Sequence, residues 1–199
     1  MSSIRPCSPP SLPSIHPFIH SFIHSFVRHL VCSFVHSFTK GCTGHALDFD
    51  AYTSGSAAWS NLLQDNDGAA GGYGQGIFVE ETASGNFIFN NTLRRNRNGI
   101  QLYSLDVGPV SGNIVAGNVV EDSSAHGISS GGGSGANGPQ HAEKNVVVGN
   151  VARNNAAGDY WVNHGSVVGD FWVSNDAESD IPWAGEDPQS SASVSVFEP

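Results

Sequence analysis

Two short stretches carry the acids best placed to do chemistry: Asp48-Phe49-Asp50, and Glu80-Glu81 following Phe78-Val79. Carboxylates held close together share a proton, bind a hard cation such as calcium through oxygen ligands, or repel one another through water. Paired acids also serve glycoside hydrolysis, one as proton donor and the other as base or nucleophile. Asp48, Asp50, Glu80 and Glu81 are therefore the candidate metal ligands, and Asp50 and Glu80 the candidate catalytic pair. Phe78, Gln101, Tyr103 and Trp161 supply aromatic faces and an amide suited to holding a polysaccharide or oligosaccharide.

Other patterns are weaker. His16, His20 and His24 would ligate a metal if they lay on a helix, but Pro17 and the many β-branched residues oppose one. The thiols Cys7, Cys32 and Cys42 all lie at the N-terminal end, so the rest of the chain has neither disulfide nor thiol nucleophile, and the redox compartment is unreadable. The glycine-rich run from Gly131 to Gly138 lacks the lysine of a phosphate-binding loop. Asn90-Asn91-Thr92 matches the N-glycosylation pattern and falls in an expected bend.

The elements that must position these groups belong to a chain of 199 residues with 24 glycines, 10 prolines, 13% charged residues and a net charge of −10. That is enough chain for one domain with a core, and its glycine content points to a turn-rich β protein. The acidic balance argues against a nucleic-acid partner, which would need a basic stripe, and no apolar run is long enough for a conventional membrane span. Charge is unevenly placed: the first forty residues hold Arg5, Arg28 and Lys40 with no acid, and all 18 acids follow. Within that stretch, from His16 onward, the unit His-Ser-Phe-Ile recurs every four residues, as in His20-Ser21-Phe22-Ile23. A run of the tetranucleotide CATT spells that unit in every forward frame, so residues 1–40 read as a translated DNA repeat outside the fold. A signal peptide is the competing reading, spoiled by the regular His and Ser, and an extracellular destination stays open.

Beyond residue 40 a different repeat takes over. Small polar residues recur at spacing five with apolar pairs between them: Ser56, Asn61, Asn66; Asn86, Asn91, Asn96; Asn113, Asn118, Ser123; Asn145, Asn150, Asn155; and a degenerate unit from Gly165 through Asp170 and Asn175. After each full unit comes a short apolar strand, such as Gly76-Ile77-Phe78-Val79 or Gly99-Ile100-Gln101-Leu102. Three short strands per unit with tight polar bends describe one coil of a parallel β-helix, so residues 41–175 are expected to form an all-β stack of about five coils. The inward rows expected are Ala58, Ile88, Val115, Val147, Val167; then Leu63, Leu93, Val120, Ala152, Trp172; then Leu47, Ile77, Ile100, Ile128, Tyr160. Bend asparagines are expected to accept left-handed geometry and to pair their amides along the stack. Residues 176–199, an acidic tail with Ile181, Pro182, Trp183 and Phe197, are expected to cap the last coil.

The patterns Asn-Phe-Ile-Phe-Asn-Asn-Thr-Leu and Asn-Gly-Ile-Gln-Leu resemble the asparagine-rich right-handed parallel β-helices of the pectin lyase-like superfamily, over about residues 44–175. That resemblance implies a carbohydrate-associated protein and, if it is an enzyme, a polysaccharide lyase or glycoside hydrolase. The noncatalytic alternative is a structural or binding β-helix, or part of a larger enzyme. His126-Gly127-Ile128-Ser129 faintly resembles the His-Gly-x-Ser stretch of polygalacturonase-type hydrolases, which implies His126 as a third candidate catalytic residue; the other motifs are missing, and the alternative is a turn residue. In this register the third strand turns outward Asp48, Phe78, Gln101, Ser129 and Trp161, then Asp50, Glu80, Tyr103, Gly131 and Asn163. The second strand alternates Arg94, Glu121 and Arg153, an expected ionic ladder. The first turns out Trp59, Phe87, Phe89, Ile114, Val146, Val148 and Val168, too apolar to face water without a cover.

Overall fold

A computed structural model describes residues 34–35, 38–40, 44–68, 73–105, 107–135, 138–139, 141–163 and 166–177. The chain divides into two units, Met1–Leu30 and Val31–Pro199, and everything described here belongs to the second. The histidines of the tetrapeptide tract, the three cysteines, Trp183 and the rest of the expected C-terminal cap lie outside the described residues.

Three parallel sheets wind around one core. The first stacks Phe34–Val35, Ala57–Trp59, Phe87–Phe89, Ile114–Ala116, Val146–Val148 and Phe171–Val173. The second stacks Phe38–Lys40, Leu62–Gln64, Thr92–Arg94, Val119–Glu121, Val151–Arg153 and Asp176–Ala177. The third holds Leu47–Phe49, Ile77–Glu80, Ile100–Ser104, His126–Gly132 and Gly158–Val162. Every strand pairs with its counterpart one coil away, the arrangement expected of a β-helix. The stack starts earlier than residue 41, because Phe34–Val35 and Phe38–Lys40, at the end of the tetrapeptide tract, pair with Ala57-Ala58 and Leu62–Gln64. Those two strands cover the edge that the first full coil would otherwise expose. At the other end Asp176–Ala177, expected in the tail, is a strand of the second sheet.

The inward rows follow the sequence pattern until the last coil. Ala58, Ile88, Val115 and Val147 are in register, but the next residue in that row is Trp172, not Val167. The second row runs Leu63, Leu93, Val120, Ala152 and ends on Ala177. Val167 belongs instead to a short fourth row, with Val110 and Ala142, that closes the gap between the third and first sheets. The last unit thus begins at Asp170, five residues later than Gly165, because Asp170 and not a backbone-only glycine can receive the amide of Asn145. The third row is as expected, from Leu47 to Tyr160. Its final Tyr160 meets Trp172 edge-on, with ring centroids 6.0 Å apart, and its hydroxyl donates to the carbonyl of Asn150 or Asp176. Two aromatic rings thereby close the end of an otherwise aliphatic core.

The bends hold because of the asparagines. Asn118 Oδ1 accepts from the backbone N–H of Asn91 at 3.0 Å and from its side-chain amide at 2.9 Å. Asn118 Nδ2 passes the bond on to Asn150 Oδ1 and also donates to the Ile88 carbonyl. The same chain runs from Asn86 through Asn113 and Asn145 to Asp170. The left-handed geometry expected of these asparagines falls instead on the residue before each: Ser60, Asn90, Gly117, Gly149 and Ser174 all have positive φ. A ladder asparagine must aim its amide inward, so the turning is done by its exposed neighbour.

Candidate functional site on the outer face of the third sheet

The third sheet has the longest strands, up to seven residues in His126–Gly132, and therefore the only broad outer face among the described residues. Its register is the one expected: Asp48, Phe78, Gln101, Ser129 and Trp161 in one row, with Glu80, Tyr103 and Gly131 in the next.

The acids do come together. The Glu80 carboxyl is pushed up to about 7, first by burial and then by repulsion from Asp48, Asp50 and Glu81. Asp48 is also raised: partial burial leads, the His45 ring opposes it, and Asp50 adds to it. Two of the four already have work: Asp50 Oδ1 accepts the N–H of Ala51 at 2.6 Å, and Glu81 Oε2 accepts the N–H of Val107 at 2.7 Å. Among the described residues no three side chains of His, Cys, Asp or Glu group as a ready ligand set.

Phe78 is not an open platform. It faces outward as expected but is only 7% exposed, since the His45 ring sits 4.6 Å from it and Tyr73 lies 5.4 Å beyond His45. Gln101 is fixed by its Oε1, which accepts from Gln75 at 2.7 Å and Asn98 at 3.3 Å. His126 stacks on Trp161 with centroids 5.3 Å apart and planes 21° from parallel. Burial lowers the His126 pKa, so the ring is neutral at physiological pH. Its backbone N–H donates to Asn98 Oδ1, which ties the histidine to the bend beneath Gln101. Ser129, between Gln101 and Trp161, is fully buried with no partner for its Oγ. Gly131 leaves the room that Asn163 and the Trp161 ring occupy, because a Cβ there would lie 3.0 Å from Asn163 and 3.2 Å from the Trp161 ring.

His126 and the acids do not form one constellation. Glu80 is level with Gly131, five residues along the strand from His126 and two strands away, hence about 16 Å along and about 10 Å across. The supporting residues His45, Tyr73, Gln75 and Asn98 carry no signal in the alternating pattern, because they lie in the bends that precede the strands.

The stacked coils, their asparagine-lined bends and the three-walled core match the sequence model described as the right-handed β-helix region over residues 32–177. The chain belongs to the right-handed β-helix family. The match begins and ends within two residues of the described strands, so the β-helix includes the end of the tetrapeptide tract and extends through Ala177. No curated protein and no solved structure matches this β-helix. Among its described residues no helix is long and apolar enough to cross a membrane.

Proposed function

We propose that this β-helix binds a polysaccharide along the outer face of its third sheet. The observation that carries the reading is the Trp161 ring, stacked on His126 and sharing the outer face with Gln101 and Tyr103 two coils away, across the small residues Ser129 and Gly131. A braced indole offers a flat apolar face to the C–H side of a sugar ring, while Gln101, Tyr103 and Asn163 offer hydrogen bonds to its hydroxyls. Resemblance to the pectin lyase-like superfamily supports a carbohydrate ligand. The reading rests on stacking and hydrogen bonds, and calcium, expected on Asp48, Asp50, Glu80 and Glu81, is a variable of the test.

One observation favours cleavage as a second reading. Glu80 keeps its proton to about pH 7, as the acid of a glycoside hydrolase must. His126 then acts only by positioning Trp161.

Calorimetry against a panel of neutral and uronic oligosaccharides, with and without calcium, tests both. Binding that Trp161→Ala reduces at least tenfold supports the first reading; binding to none of the panel, or binding indifferent to Trp161→Ala, overturns it. New reducing ends that appear with the wild type and vanish in Glu80→Gln, with affinity retained, establish the second.

A further inference from the structure

The bend between the first and second sheets is built five times over with a left-handed residue, and in one coil that residue is an asparagine. Ser60, Gly117, Gly149 and Ser174 hold the position elsewhere; here it is Asn90, with φ 54° and an exposed side chain. Its backbone N–H is used, donating to the Ala116 carbonyl at 3.2 Å, but its side-chain amide bonds to no described residue. Its neighbour Asn91 is the opposite case, buried and committed at both ends to the ladder. Thr92 follows with its side chain on the outer surface of the second sheet, opposite inward Leu93. Of the 16 asparagines in the chain, only Asn90 has a Ser or Thr two residues on. The exposed bend asparagine Asn154 lacks one.

The geometry points to Asn90 as the attachment site of an N-linked glycan, in a chain delivered to a secretory lumen. The co-reactant is an oligosaccharide carried on a polyprenyl pyrophosphate. Asn90 Nδ2 forms a bond to C1 of the first N-acetylglucosamine, and the C1–O bond to pyrophosphate breaks. The pyrophosphate leaves with the electron pair, and the amide proton passes to a carboxylate of the transferase, so nothing is oxidised or reduced. The ladder loses nothing in the exchange, because every asparagine it needs is a different one. The first sugar would emerge beside Phe89, whose ring stacks on Trp59 at 5.9 Å with planes 4° apart, and the apolar side of the sugar can cover part of that outward face. The glycan projects from a bend away from the third sheet, so it is compatible with a ligand on the proposed binding face.

The full chain, translated behind a cleavable leader in the presence of microsomal membranes, provides the test, scored only on the protease-protected fraction. The protected chain is expected to carry a mobility shift that a glycan-releasing amidase removes, converting Asn90 to aspartate in the recovered peptide. Asn90→Gln and Thr92→Val should each abolish the shift, while Thr92→Ser and Asn154→Gln should keep it. A protected chain with no shift, or a shift that survives Asn90→Gln, overturns the assignment.

Discussion

The second and third sheets share one backbone geometry and one register, yet their outer faces treat charge in opposite ways. On the second, the acid meets bases on both sides: Glu121, 9% exposed, accepts from Arg94 Nε at 2.8 Å and from Arg153 Nε at 2.6 Å. Beside it, Arg95 Nε reaches Asp65 at 2.6 Å across the bend. On the third, acids stack on acids, no base faces them within the row, and Glu80 resists ionisation. The second face alternates acid with base along the coil stack, whereas the third sets acids beside one another. Stability alone would favour the first solution everywhere, and the exception is the face on which the ligand is proposed to sit.

The comparison assumes that both faces stand on an equally rigid floor, and the largest effect tests that. Ile100→Asp puts a charge into the packed row and should leave no cooperative unfolding transition, while Gln101→Asp, one residue away on the outer face, should cost about 1 kcal/mol or less. Equal melting temperatures for the two variants would break the register on which everything else depends.

Next in size, neutralising one acid on each face should act with opposite sign. Glu121→Gln should destabilise by about 1 kcal/mol, by an amount that shrinks as salt is added. Glu80→Gln should stabilise, and only above mildly acidic pH. Below its ordinary value of 4.5 the Glu80 carboxyl is protonated in both folded and unfolded chains, so it has no effect. Between 4.5 and about 7 the folded chain keeps the proton that the unfolded chain has lost, so wild-type stability falls as pH rises through that window. Denaturant titrations of wild type and Glu80→Gln at pH 4.5 and pH 8 should therefore coincide at the lower pH and separate at the higher. A variant no more stable at pH 8 would show the acids to be well solvated and the contrast between the faces to be empty.

The smallest expected effect is that of Trp161→Ala on stability. The ring packs on His126 at the surface, so unfolding should shift by about 1 kcal/mol or less while sugar affinity falls tenfold. A large loss of stability with unchanged affinity would make the Trp161–His126 pair a structural brace only.

Much of this was legible from the sequence wherever a residue recurs once per coil. Ile77, Ile100 and Ile128 face inward and Gln101 and Ser129 outward because a strand alternates with period two, and asparagine at every fifth position announces the ladder. The pattern failed where a contact is made once. Phe78 faces outward as read, but His45 and Tyr73 cover it from irregular bends that have no period. Glu81 accepts the N–H of Val107, 26 residues downstream, a contact for which the repeat gives no sign. The last coil was misread because the fourth row is two residues wide, and the spacing of five could be entered one unit too early. Phe34 and Phe38 were hidden by the tetrapeptide tract, whose period of four masks strands that belong to a spacing of five elsewhere.

The amide ladder has a direction. An asparagine both receives and passes on a hydrogen bond, whereas an ionised carboxylate can only receive. Asp170 takes the backbone and side-chain N–H groups of Asn145 on one oxygen and the hydroxyl of Ser130 on the other, and Asp159 takes both donors of Asn155. Two of the three ladders thus end on an acid, and the third sheet stops one strand short of the other two where Asp159 sits. These aspartates act as terminators written into the sequence. A coil copied from residues 86–112 and inserted before Asn113 would find a donor above and an acceptor below, but one appended after Asp170 would meet a group with nothing to give. The molecule can be lengthened from within and not from its end.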